Sequence, residues 1–434
     1  MQTKDTPISK KFHDYFRSFL KQVKRPVKKN FLELAKGVVL ANTVIVSEVI
    51  RVTDKKLRVR KGVERIGNML DKIESYELNE YMIATKHAEK IHEKTIIAID
   101  NSDTIKEYAE CLEGMSRVHD GSKGELKNGF EIFGSSYIDD EGKSHMLQFE
   151  LYSRKTDEYK SEYKEWEKNM DSLLRIIHTD AGVFVMDCGY DGSKYYDYLL
   201  KNEKDFVIRV NEKRTKPRKV YFENFKEKWD VNALPYSKEK KTQVTIKNKK
   251  TNRFELVTVK LSKASIRLTE NGESLNLVRI RRLKKGSKTR EIYLLTTLKA
   301  SGINQMIKIY ETYLKRWKIE ELFRSIKQHF QIENIQLRKL NRIQSLYRLI
   351  AIMHNFLTDI SCWSESVKNS IFYHAKQLQR NTQKMSLFTA IFRVTQEEWS
   401  YFKYHLHSMF FRSKGHSHNQ LQLNLNIDSL TFGS

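Results

Sequence analysis

Tyr313-Leu314-Lys315-Arg316-Trp317-Lys318-Ile319-Glu320-Glu321-Leu322-Phe323-Arg324-Ser325-Ile326-Lys327 is the stretch on which the reading of this chain turns. Wound as an α-helix at about 100° per residue, Tyr313, Arg316, Glu320 and Lys327 point to roughly 0, 300, 340 and 320°. They form one stripe about 60° wide and about 21 Å long. A single carboxylate is thus flanked by a phenol, a guanidinium and an ammonium. That is the length and chemistry needed to lie along a phosphate backbone with one metal-binding oxygen ligand in the middle. Ile319, Leu322, Phe323, Ile326 and Phe330 fall on another face, which can dock on a core. A solvated surface helix, with Arg316 and Glu320 as an i,i+4 ion pair, would use the same residues. The rest of the chain has to decide.

Upstream of this helix the hydrophobic period is that of strands. Thr95 to Ile99 is a short apolar run ending in Asp100, and Gly182 to Met186 is another ending in Asp187. Between them, Phe130 to Ile138 and His145 to Leu151 read as a hairpin around Asp139, Asp140 and Gly142. Helices are expected over Tyr159 to Ile177 and Ser193 to Leu200, with a strand at Phe206 to Val210. Residues 213–290 break the pattern. Their β-like segments are separated by turn signals at Asn271-Gly272 and Gly286-Ser287, which predicts an inserted, antiparallel, basic β-subdomain. Ile292 to Thr296 can return to the main sheet before a long helix over Ile303 to Phe330. The fold class is therefore α/β. A mixed-sheet core over residues 91–212 and 291–356 carries an insertion at 213–290, flanked by helical regions at 1–90 and 357–434.

In the N-terminal region helical spacing runs through Phe12, Tyr15, Phe16, Phe19 and Leu20, stops at Pro26, and resumes over Phe31 to Val52 and Val63 to Ile73. Basic clusters at Lys21, Lys24, Arg25, Lys28 and Lys29, then at Lys55, Lys56, Arg58, Arg60 and Lys61, separate the helices. A helix-turn-helix-like DNA reader fits this pattern, and so does a plain bundle with solvated charges.

Across 434 residues, Lys+Arg 79 against Asp+Glu 54 gives a formal net charge of +25. Such an excess points to a polyanionic partner, nucleic acid before an anionic membrane. With hydrophobic residues at 39%, the chain is globular and not a basic disordered tail. Cys111, Cys188 and Cys362 are too few and too scattered for a disulfide framework or a Cys-x-x-Cys metal site, which suits a reducing cytoplasm. No secretory signal and no transmembrane segment is expected.

The chemistry is read from conjunction. Two strands ending in Asp100 and Asp187 place carboxylates at one edge of a sheet, and a later helix can bring Glu320 to them. Three acids with no obligatory His or Cys make a hard, all-oxygen site suited to Mg²⁺, with Mn²⁺ as a substitute. Two such ions serve in-line phosphodiester displacement. Asp103 and Asp191 are the nearest rivals to Asp100 and Asp187, since Asp at a strand end is also a common turn or cap residue.

With these residues in place, the chain resembles the DDE transposases of the bacterial insertion-sequence-four group. Tyr313, Arg316, Glu320 and Lys327 match that group's Y-x2-R-x3-E-x6-K signature without a gap. Ala98-Ile99-Asp100-Asn101-Ser102 and Val185-Met186-Asp187 resemble its two strand-end Asp motifs, and the group also carries a β-rich insertion between the second Asp and the Glu. The resemblance implies a ribonuclease H-like core in which Asp100, Asp187 and Glu320 hold two divalent ions. Tyr313, Arg316 and Lys327 would then grip phosphates near the transposon end. It implies cutting at terminal inverted repeats and joining of the 3′-hydroxyls to target DNA, by a dimer bridging two DNA ends. In the hairpin route used by some members, a flipped base stacks on an aromatic in the β-insertion. Trp229 is a candidate for that role, with a core tryptophan as the alternative. Arg209, Lys213, Arg214, Lys216 and Arg218 form a basic run that is either a solvated loop or a backbone contact. His405, His407, His416 and His418 have metal-like spacing but no Cys or Asp partner, and are read as solvated. A stand-alone metal-dependent nuclease and a non-catalytic DNA-binding descendant are the competing functions. A cytoplasmic, nucleoid-associated location follows from the same reading.

Overall fold

The computed structural model describes residues 7–54, 58–121, 124–178, 180–211, 218–223, 225–247, 254–283, 290–360, 388–397 and 399. The chain opens with helices α1 (Pro7–Phe19), α2 (Arg25–Ala41), α3 (Val46–Thr53), α4 (Val59–Ile73) and the short α5 (Leu78–Met82). Pro26 does not break a helix. It lies in the first turn of α2, where its missing N–H costs nothing. The helix expected without a break over Phe31 to Val52 is two, because Asn42 takes a left-handed conformation (φ 52°) and its N–H caps Val39.

The strands are β1 (Ile96–Ile105), β2 (Ser116–Asp120), β3 (Glu125–Ile138), β4 (Ser144–Tyr152), β5 (Val183–Met186), β6 (Asp205–Arg209), β7 (Lys219–Phe222), β8 (Lys228–Asp230), β9 (Lys240–Lys247), β10 (Phe254–Arg267), β11 (Leu275–Arg282) and β12 (Arg290–Thr296). Among the described residues they form one 12-stranded sheet in the order β2-β3-β1-β5-β6-β12-β11-β10-β7-β8, with β4 on β3 and β9 on β10. Only β1, β5 and β6 are parallel to one another; the other pairings are antiparallel. The fold is thus mixed α/β. The strands of residues 213–290 are antiparallel among themselves and continue the same sheet through the β11–β12 and β12–β6 ladders.

Helices α6 (Glu162–Leu174), α7 (Ser193–Lys201), α8 (Ile303–Lys315), α9 (Trp317–Phe330) and α10 (Leu340–Ile360) complete the fold. Strands β5 and β6 are apolar on both faces, as parallel strands covered by helices must be. Val183, Val185 and Val207 pack beneath Met306, Ile309, Tyr310 and Tyr313 of α8. Phe184, Met186, Phe206 and Ile208 belong to the larger core on the other face, with Trp166 and Leu173 of α6 and Tyr196 and Leu199 of α7. Helix α10 runs through the molecule almost wholly buried. Asn355 clasps β4 by accepting from Met146 N–H (2.8 Å) and donating to Met146 O (2.7 Å). Arg342 reaches Asp71 of α4 at 2.6 Å, and Phe356 meets the Phe12 ring of α1 at 5.4 Å. No described helix is long and apolar enough to cross a membrane.

Two departures from expectation shape the site. The run read as stopping at Asp100 continues to Ile105, because Asp100 to Ile105 pair antiparallel with Gly134 to Gly129 of β3. The β1–β5 ladder has already ended at Ala98 and Val185, so Asp100 stands just past the last parallel rung. The long helix is also divided at Arg316, where Arg316 N–H bonds Tyr313 O and Ile319 N–H bonds Arg316 O, both at 3.1 Å. Those three-residue steps tighten the turn.

Candidate active site

Asp100 projects from β1, with its Oδ1 accepting from Asn101 N–H at 3.0 Å. Asp187 follows the last residue of β5, and Glu320 lies in the first turn of α9. Helix α9 can come close because position 134, opposite Asp100 on β3, is glycine. A Cβ there would lie 2.3 Å from Phe323 Cζ, so the ring one turn beyond Glu320 rests directly on the sheet.

The three acids meet at one cation. Arg316 Nη1 is 2.6 Å from Asp100 Oδ2, and Nη2 is 2.5 Å from Glu320 Oε1 and 3.9 Å from Asp187 Oδ2. Tyr313 Oη donates to Asp187 Oδ1 at 3.1 Å, and Arg209 Nη1 stands 4.0 Å from the same oxygen. The Arg316 side chain is 10% exposed, against 21, 34 and 29% for those of Asp100, Asp187 and Glu320. The acids are therefore more exposed than the cation on which they converge.

Burial pushes the Asp100 carboxyl up to about 6. The Arg316 charge opposes the shift, and Glu320 and Asp187 reinforce it. For Asp187 burial also raises, but Arg316, the Cys188 N–H, Arg209 and Tyr313 outweigh it and hold that carboxyl below its ordinary value. Burial and the Asp187 charge push the Tyr313 phenol up to about 12, so it stays a donor. Burial works against the Arg316 charge, and the surrounding acids more than restore it.

Lys327 is not at this cluster. Its Nζ bridges Asp103 Oδ1 (2.9 Å) and Glu333 Oε1 (3.5 Å), three residues farther along β1. There it borders a cleft of about 820 Å³ lined also by Asn101, Lys106 and Tyr108. Asp103 is thus engaged elsewhere. Asp191, the other rival, is fully buried, with Arg218 Nε at 2.6 Å, Tyr196 Oη donating at 2.8 Å and Asn211 N–H at 3.0 Å. It anchors the turn after β5. Trp229 lies on β8, at the far end of the strand order, against Phe222 and Phe225, and packs on the main core. Lys213, Arg214, Lys216 and the four C-terminal histidines lie outside the described residues.

Asn101 is a member of the site that spacing alone does not single out. Its Oδ1 accepts from Tyr190 Oη at 3.0 Å and its Nδ2 donates to Glu162 Oε1 at 2.8 Å, which fixes the backbone beside Asp100. The only signal for it is its place in the Asp100-Asn101-Ser102 motif.

Among the described residues, no three of His, Cys, Asp and Glu are already set around a point where a metal ion would sit. The donor set nevertheless fits a hard divalent ion. It offers three carboxylates, all oxygen, with negative charge that one guanidinium only partly offsets and with a proton affinity raised at Asp100. No curated protein matches the chain. Residues 142–356, which include Asp187, Arg209, Tyr313, Arg316, Glu320 and Lys327 and begin beyond Asp100, match the family described as the transposase DDE domain.

Proposed function

We propose that the protein is a DNA transposase of the insertion-sequence-four group, acting through a ribonuclease H-like core. It would cut at the terminal inverted repeats of its element and join the 3′-hydroxyl ends to target DNA. The observation that carries this reading is the convergence of Asp100, Asp187 and Glu320 on Arg316, with two of the three acids inside the matched transposase DDE domain. Asp100, Asp187 and Glu320 would hold two Mg²⁺ ions, with Mn²⁺ able to substitute. When bound, such ions bring an attacking oxygen and a leaving oxygen into line and offset the charge that develops on the phosphate.

The chain's own residues do the rest. Tyr313 donates to Asp187 and orients that carboxylate, while Asn101, held by Tyr190 and Glu162, steadies Asp100. Arg209 beside Asp187 and Lys327 in the lining of the cleft along β1 supply phosphate contacts. Lys213 belongs to the same basic run as Arg209 and is assigned to the backbone with it. Trp229 is the candidate for stacking a flipped base. In hydrolysis a water oxygen bonds to phosphorus as the bond to the 3′-oxygen breaks; in joining, the 3′-hydroxyl replaces water. Duplex DNA is the partner, a homodimer bridges the two ends, and the work is done in the cytoplasm at the nucleoid.

The test is cleavage of duplexes bearing the element's flanking repeats, with Mg²⁺ or Mn²⁺, for the native protein and Glu320→Ala. Cutting and joining by the native protein, with binding but no cutting by Glu320→Ala, supports a transposase. Cutting without joining would make it a nuclease. Equal binding with no cutting by either protein would leave a DNA-binding role.

A further inference from the structure

We infer that Arg316 is a built-in stand-in for the divalent ions: it holds the three carboxylates together before metal arrives and must leave them when it does. This rests on the proposed metal role of Asp100, Asp187 and Glu320. One guanidinium, on a side chain that is nine-tenths buried, bonds two of those acids and lies within 4 Å of the third. Three carboxylates without a cation would repel one another, and no other described side chain contacts all three. Arg209 and Tyr313 reach Asp187 alone.

The two occupancies compete for the same oxygens, Asp100 Oδ2 and Glu320 Oε1. A Mg²⁺ ion binds carboxylate oxygens at about 2.0–2.1 Å. An ion bound to those two oxygens would take the space that the Arg316 nitrogens fill at 2.6 and 2.5 Å, and like charges would face each other in a low-dielectric site. The guanidinium is carried on a long side chain at the tightened junction of α8 and α9, outside the hydrogen-bonded body of either helix. Once released, it remains on the stripe that it shares with Tyr313 and Glu320. There its planar fork suits a DNA phosphate. Metal loading thus frees the residue that grips DNA, and each event favours the other.

The test measures Mn²⁺ affinity by electron paramagnetic resonance for the full chain, Arg316→Ala and Glu320→Gln. A second arm needs no variant: phenylglyoxal labelling of Arg316 in the native protein, read by mass spectrometry with and without saturating Mn²⁺. The expected result is that Arg316→Ala binds Mn²⁺ about tenfold more tightly than the native protein. Arg316 labelling should rise several-fold when Mn²⁺ is added. If Glu320→Gln weakens Mn²⁺ binding but Arg316→Ala binds no tighter and labelling does not change, Arg316 is not a stand-in and the metal site survives. If neither the native protein nor Arg316→Ala binds Mn²⁺ in a Glu320-dependent way, both readings fall. Circular dichroism of each variant checks that it is folded, and if Arg316→Ala does not fold, the labelling arm decides alone.

Discussion

Replacing Gly134 with alanine should disable the site without touching an acid. The added methyl would lie 2.3 Å from Phe323 Cζ and 2.5 Å from Cε1. Relaxed carbon contacts need about 3.5–4.0 Å, so the ring must retreat by about 1.2 Å or more. It has little room to do so by itself, being 6% exposed and backed by Phe149 at 6.0 Å. The retreat therefore passes to α9, whose first turn carries Glu320. Overpacking of this kind costs about 1–3 kcal/mol. A misplacement of about 1 Å in a reacting group can cost on the order of a hundredfold in rate. Denaturant titration and single-turnover cleavage of a repeat-end duplex would measure the two effects. Phe323→Leu in the alanine background removes the clashing ring and should recover much of the rate. A Gly134→Ala protein that cleaves within twofold of the native rate at unchanged stability would refute the reasoning, as would a double variant no better than the single.

Two further outcomes follow from buried charge. Asp191→Ala removes the buried carboxylate that Arg218 Nε meets at 2.6 Å and that accepts from Tyr196 Oη and Asn211 N–H. The loss should be about 3–5 kcal/mol in chemical denaturation, and a loss below about 1 kcal/mol would mean that the turn after β5 stands without it. Asp100 binds a proton up to about pH 6 in the folded chain but only to its ordinary 3.8 when unfolded. Its contribution to stability is therefore full below pH 3.8 and lost as pH rises to about 6, roughly 2–3 kcal/mol in the metal-free protein. Melting curves of native protein and Asp100→Asn across pH 4 to 7 should diverge by that amount, and parallel curves would show that the Asp100 proton affinity is ordinary.

The elements of the site were legible in the sequence where local spacing encodes them. An apolar run ending in an acid marks Asp187 after β5 and puts Asp100 just past the last parallel rung of β1, and the Tyr313–Glu320 spacing places Arg316 and Glu320 on one face. What was not legible depends on partners distant in sequence. Asn101 to Ile105 lack strand patterning of their own and are held extended by β3. Gly134 carries no mark of the helix that will lie on it. Lys327 shares the stripe by angle, yet it stands about 10 Å along α9 from Glu320, where Asp103 and Glu333 hold it. Pro26 and Asn42 show the ambiguity of single breakers: one starts a helix and the other ends one.

Helix α10 lends the molecule the character of a caliper. One shaft, fastened to β4 through Asn355, to α4 through Arg342 and to α1 through Phe356, leaves no slack between the N-terminal helices and the sheet that bears the acids. On the proposed function, any DNA contact made by the N-terminal helices would stand at a set distance from the acids, so that the spacing between that contact and the cut would be fixed by the protein.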